Sequence, residues 1–291
     1  MSASYKRLAL IIHVDHGAGR KLAISLLKIG LFVIITTKDQ KIGEAILQNI
    51  IEHTKSDEIE YFPLDISIQS SIREFASSFR QVYSRIDLLI FNSAYRNNSL
   101  REKTFTEDSI EQNWASSHIG PILLFGLMLP LLKNSYDPRV LIHIPDSIFA
   151  FKHLKVREQD PEFRNCRYRG IRAYDQAILA QTMFIQYIAN HKEYDYLIIM
   201  GIVTKAIRKP SYYNRTLPFF SRFNMRVRNI FLLSPQKAAW IFRFAGIADS
   251  HKLTSGQLIN LNRTQIRPLP YARDKDAIER VMTITRKYIV T

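Results

Sequence analysis

The 291-residue sequence predicts an α/β fold: a doubly wound parallel sheet with helices on both faces, three layers in αβα order. Three observations carry this expectation. Strand-length apolar runs alternate with segments of helical period, most of the runs are apolar on both faces, and no repeat or low-complexity linker breaks the series. A strand with one wet face would alternate apolar and polar residues, so continuous apolar runs imply cover on both sides. With 46% apolar residues the chain can build a substantial core, and residues 1–291 read as one domain.

The elements follow in order. Leu8–Val14 (LALIIHV) is the first strand; a turn holding Gly17 and Gly19 leads into a helix from about Arg20. Leu31–Thr37 (LFVIITT) is the second, with a helix from about Lys41, and Ile59–Asp65 (IEYFPLD) the third, with a helix over Ser70–Tyr83. Ile86–Asn92 (IDLLIFN) is followed by two helical segments between Thr106 and Leu132. Of these, Pro121–Leu132 (PILLFGLMLPLL) is too short to span a bilayer and reads as a buried core helix. Arg139–Ile144 (RVLIHI), a helix from Arg172 and Tyr196–Val203 (YLIIMGIV) continue the alternation. A segment at about 205–229 interrupts it, and a closing helix runs from about Asp274 to Tyr288. In such sheets ligands bind at the carboxyl ends of the strands, so the chemistry is sought in the turns there.

Charge narrows the partners. There are 41 Lys and Arg against 26 Asp and Glu, a net +15, which favours phosphate-rich surfaces. Seven of these cations, Lys205, Arg208, Lys209, Arg215, Arg222, Arg226 and Arg228, fall in one acid-free segment, among Tyr212, Tyr213, Phe219, Phe220 and Phe223. Cations beside aromatics suit the interface of an anionic membrane or a lid with a solvated basic face. Single-stranded nucleic acid is a weaker fit, because no RNA-binding motif accompanies the patch. The one cysteine, Cys166, excludes an internal disulfide. No secretion signal is readable, and the chain is expected inside the cell, in the cytoplasm or on the cytosolic face of a membrane. His13, Asp15 and His16 lack metal-ligand spacing, so no metal site is expected.

Glycines directly before a helix let backbone N–H groups approach a pyrophosphate at its positive end. Taken in order, these turns resemble the short-chain dehydrogenase/reductase family, most closely its retinol-dehydrogenase-like branch, from about Arg7 to Tyr288. The resemblance implies a Rossmann-type fold and an NADP(H) site. The family's Thr-Gly-x-x-x-Gly-x-Gly falls on Ile12–Gly19, so Gly17 and Gly19 match while His13 replaces the first glycine. LDISIQSSIREF makes Asp65, with Ile66 beside it, the counterpart of the residues at the adenine. Lys38 stands where relatives preferring NADP carry a cation for the 2′-phosphate, and no acid ends the strand before it. Asn92 is kept from the family's Asn-Asn-Ala-Gly.

The catalytic positions fare differently. The resemblance places the proton-transferring tyrosine at Tyr174, but the lysine four residues on is Ile178. The substrate-orienting serine is Asp146, with Ser147 able to substitute if the register shifts by one, and the relay asparagine is Ser117. The usual Pro-Gly after the sixth strand becomes Met200-Gly201. Tyr168 and Arg172 offer an alternative i, i+4 pair. The implied function is therefore that of a catalytically impaired or inactive member that binds nucleotide or a partner, with an anionic membrane as one candidate. The alternative is an active NADP(H)-dependent oxidoreductase using Tyr174 on a retinoid, steroid or other lipophilic alcohol or carbonyl. The family's habit of pairing through the helices here represented by Thr106–Leu132 and Arg172–Ala189 implies a homodimer.

Overall fold

The computed structural model describes residues 6–15, 18–92, 102–208 and 232–289. Its centre is a sheet built from β1 (Leu8–Ile12), β2 (Phe32–Thr37), β3 (Ile59–Pro63), β4 (Leu88–Phe91), β5 (Arg139–Pro145), β6 (Ile198–Thr204), β7 (Leu258–Ile259) and β8 (Gln265–Ile266). The strands lie in the order β3-β2-β1-β4-β5-β6-β7-β8. All neighbours pair in parallel except β8, a two-residue edge strand antiparallel to β7. The doubly wound parallel sheet expected from sequence is present, with an antiparallel strand added at that edge, where two residues are too few to leave a periodic signal.

Two apolar clusters sandwich the sheet, and β1 alone shows why. Leu8, Leu10 and Ile12 point into one cluster, Ala9 and Ile11 into the other, as a period of two demands. Helices α1 (Gly19–Leu27) and α2 (Gln40–Thr54) cover the second face. Helices α3 (Gln69–Val82), α4 (Gln112–Lys133) and α5 (Gly170–Asn190) cover the first. Helix α6 (Pro235–Ile247), on the second face, was not anticipated, although Ser234 caps it by accepting from the Lys237 N–H and Pro235 opens its first turn.

The two helical segments expected between Thr106 and Leu132 are one helix. Inside it, Ala115–Ile119 widens to a π turn closed by the Gly120 N–H on the Ala115 carbonyl. Pro121 supplies a reason: it has no N–H for the Ser117 carbonyl and its ring crowds that oxygen, so the turn before it opens. The 22-residue helix is long and apolar enough to cross a bilayer, yet 72% of its apolar window is buried, and it serves as a core element.

A last helix, α7 (Lys275–Ile289), lies against α5 and the π turn. Thr285 Oγ meets His118 Nε2 at 2.7 Å, and Ala277, Ile278, Val281 and Met282 join the first cluster. Part of the helical surface implied for pairing between copies is therefore covered from within the chain.

Candidate functional site

The turns at the carboxyl ends of β1, β2, β4, β5 and β6 share one edge of the sheet, and by strand order the left wall of this candidate site carries the expected nucleotide residues. After β1 the chain leaves the strand at His13, with φ 62°, a left-handed conformation that glycine adopts most easily. The turn therefore keeps a glycine-like backbone although its residue is a histidine, 7% exposed. His13 N–H donates to Thr36 Oγ (3.2 Å), and the His13 carbonyl accepts from Asn92 Nδ2 (2.6 Å), tying the ends of β1, β2 and β4 together. A Cβ on Gly19 would sit 2.5 Å from the Val14 Cα and 2.9 Å from Asn92 Nδ2, so only glycine lets α1 start this close to the turn. Gly17 lies outside the described residues.

Lys38 and Asp65, expected at opposite parts of an adenosine 2′-phosphate, meet each other at 2.7 Å. Asp65 also accepts the Ser67 N–H (2.9 Å) and hydroxyl (2.7 Å). Burial alone would raise its carboxyl, but Lys38 and Ser67 outweigh this and hold it below the usual range. Lys38 is 66% exposed, so the pair is a surface ion pair of about 0–1 kcal/mol, and a phosphate can compete for the ammonium. Ile66 is fully buried, and its carbonyl presses on α4: a Cβ on Gly120 would lie 1.8 Å from that oxygen.

The right wall is where catalysis would reside. Tyr174, in the first turns of α5, is 5% exposed and sits in the apolar cluster. Ile178, one turn on, is 1% exposed in the same cluster. No ammonium stands at the position from which the family's lysine would act on the phenol. Asp146 and Ser147 begin a 3₁₀ turn at the end of β5. Ser147 is exposed, while burial pushes the Asp146 carboxyl up and the charge of Lys205 partly offsets it. Ser117 sits within the π turn, 2% exposed, and its Oγ has no hydrogen-bond partner among the described residues.

Two sequence readings change here, and a third falls mostly outside the described residues. Met200-Gly201 is not a turn after β6 but lies within it, with Gly201 opposite Ile142 and Leu258; a Cβ there would be 2.3 Å from the Leu258 side chain. The Tyr168–Arg172 pair is no catalytic substitute. Tyr168 donates to Glu111 Oε1 (2.8 Å) and accepts from Asn113 Nδ2 (3.0 Å), and burial, with the Glu111 charge, raises its phenol, the wrong direction for a base. Arg172 is exposed. Of the basic segment Lys205–Arg228, Lys205 and Arg208 are exposed; the remainder from 209 onward lies outside the described residues.

Two groups at the strand ends were not foreseen. His143 Nε2 lies 2.8 Å from Thr204 Oγ, joining β5 to β6. Burial, partly offset by a hydrogen bond to the Asn92 backbone, pushes its imidazole down to about 4. Lys205 faces Asp146 electrostatically across the same pair of strands. Neither was separable in the sequence from an ordinary strand residue or a charge run, because the contacts depend on parallel register: Pro145 opposite Thr204.

Around the turns after β1, β3 and β4 the described residues show the close approach at Gly19, the Asn92–His13 tie and the Asp65 turn. At the positions expected for catalysis stand Tyr174, Ile178, Asp146 and Ser117. A short chain dehydrogenase family model matches residues 7–142, which reach from β1 into β5. Mouse retinol dehydrogenase 12 is 28% identical over 212 residues, 71% of this chain and 64% of that protein. Mouse polyprenol dehydrogenase is 24% identical over 283 residues, 94% and 81% of the two chains. Human dehydrogenase/reductase SDR family member 13 is 27% identical over 187 residues, and the match spans 48% of that relative, about half its length. Among solved structures, a Mycobacterium paratuberculosis protein superposes with TM-score 0.72 at 20% identity, over 97% of this chain and 93% of that one. A short chain dehydrogenase from Shigella flexneri complexed with NADP gives 0.63 at 17% identity, over 88% and 97%.

Proposed function

The chain belongs to the short-chain dehydrogenase/reductase family, and on that premise we propose that it binds NADP(H) in the strand-end crevice without performing the family's usual hydride transfer. The observation that carries this reading is Ile178, buried in hydrocarbon where the tyrosine's lysine would stand. A free phenol titrates near 10, and bringing it to about 7 takes roughly 4 kcal/mol of electrostatic help. An isoleucine offers none, and the raised Asp146 carboxyl in the serine position opposes developing alkoxide charge when ionised.

Bound NADPH would supply a hydride; the chain's own residues account for holding it. Gly19 and the His13–Asn92 tie shape the backbone for the pyrophosphate, Asp65 stands at the adenosine, and Lys38 exchanges its carboxylate for a 2′-phosphate. The protein then acts through its nucleotide-bound form, by binding or regulation. The names of its relatives, retinol and polyprenol dehydrogenase, direct the search for a crevice ligand to lipophilic alcohols. Thermal unfolding with and without NADPH tests the binding. A ligand at a hundred times its Kd stabilises by about 2.7 kcal/mol, so the midpoint should rise by several degrees. No rise removes the nucleotide reading. Turnover of retinal with NADPH should stay at the buffer baseline; a rate that Tyr174→Phe abolishes establishes an active oxidoreductase instead.

A further inference from the structure

Between the 3₁₀ turn after β5 and the start of α5 lies a cavity of about 1140 Å³, lined by residues 150–157 and 163–176 in part. None of the crevice residues named above as nucleotide ligands lines it. Its rim carries Lys152, Lys155, Arg157, Arg167, Arg169 and Arg172, all exposed. Some cations elsewhere in the described residues pair with acids, among them Lys6 with Glu58, Arg85 with Asp87, Arg139 with Asp137, Arg164 with Glu162 and Arg280 with Glu158. None of the six rim cations has a carboxylate within 4.0 Å among the described residues. The one acid on the lining, Asp175, is 4% exposed.

Asp160 acts on Arg157 from the adjoining side, but the six cations outnumber the acids near them; like charges so gathered repel, and an anion relieves that repulsion. The cavity also has an apolar component. Phe151 and Ile171 are 50% and 47% exposed, two of the few large apolar side chains left open to solvent, and both line it together with Leu154. Cations alone would suit any anion; cations around exposed hydrocarbon in a concave space suit an anion attached to an apolar chain. The forked guanidinium groups of Arg167, Arg169 and Arg172 match a phosphate better than a point charge does.

We propose that this cavity binds a single-chain amphiphile with a phosphate head, the chain lying over Phe151, Leu154 and Ile171 and the phosphate among the arginines. The site does not depend on the nucleotide crevice, and its test separates the two. Dodecyl phosphate, kept below its micelle concentration, is titrated calorimetrically into the full-length protein, beside inorganic phosphate and dodecyl maltoside. One dodecyl phosphate should bind at least tenfold more tightly than either comparison molecule. The Arg169→Gln/Arg172→Gln double variant, altered only at exposed positions, should lose at least tenfold in that affinity while keeping its thermal midpoint. Ile171→Ser should weaken dodecyl phosphate and leave inorganic phosphate unchanged. Equal binding of inorganic phosphate overturns the chain-binding site and leaves a free-anion site. Equal binding of the maltoside, an unaffected double variant, or displacement by saturating NADPH overturns the proposal at this cavity.

Discussion

On the β1–β4 side of the crevice the decisive features belong to the backbone: the positive φ of His13, the approach of Gly19 to Val14, the Ile66 carbonyl against Gly120. Around β5, β6 and the π turn of α4 they belong to side chains: Ile178, Asp146 and Ser117 stand at the positions that the resemblance gives to lysine, serine and asparagine. The first set is also what holds the sheet's ends and α1 and α4 in place, so it cannot drift without loss of the fold. The second set does chemistry alone, and the core accepts Ile178 as readily as any other apolar residue. Packing thus protects the first set and not the second.

The comparison breaks most visibly at Gly120. In an ordinary helix Gly→Ala gains up to about 1 kcal/mol. Here a Cβ would meet a backbone carbonyl, so Gly120→Ala should cost about 3 kcal/mol or more in urea unfolding and abolish NADPH-induced stabilisation. A stabilised Gly120→Ala would remove the coupling between packing and nucleotide side. Ile178→Lys should cost about 3 kcal/mol by burying an unpaired ammonium, with turnover still at baseline because Asp146 and Ser117 remain. If that one change restored NADPH-dependent turnover, the catalytic side would be far more intact than its residues suggest.

Acid pH gives an intermediate effect on both sides. His118 is held near 3 and His143 near 4 by burial, against 6.5 when unfolded. Below 6.5 the unfolded chain takes up protons that the folded chain refuses, so stability present above 6.5 falls as pH drops toward 4 and 3. Between pH 7.5 and 5 each histidine should remove about 2 kcal/mol, and His118→Phe should flatten roughly half of the loss in urea titrations. An unchanged slope would show that His118 titrates normally. The smallest effect is at Lys38. Replacing it with alanine should reduce the preference for NADPH over NADH about fivefold, close to 1 kcal/mol, measured as the ratio of the two dissociation constants.

The fold was legible because doubly covered strands write themselves as apolar runs: β1 to β6 all fall within a few residues of their predicted limits. What sequence missed was decided by partners far along the chain. The edge strand β8 has two residues and no period, and α6 follows the basic segment with only its Ser-Pro cap to announce it. At the candidate site, motif order singles out Gly19, Asp65, Asn92, Tyr174 and Ile178. It does not give their relations: the Lys38–Asp65 pair, the His13–Asn92 tie and the Tyr168–Glu111 bond are geometric facts without a spacing rule. Tyr168 in particular looked like half of a dyad only while Glu111 was unseen.

Helix α7 has a consequence for how the protein comes into being. Gln69 donates to the Tyr288 carbonyl, 219 residues further along, and Arg73 to that of Ile289. At 5–20 residues per second the ribosome needs roughly 10 to 45 s to cover that interval. Until then the apolar flank of α4 and α5 that α7 covers stays open on the nascent chain, a natural landing place for a chaperone. Translation speed through the intervening stretch therefore sets how long the half-made molecule must be shielded.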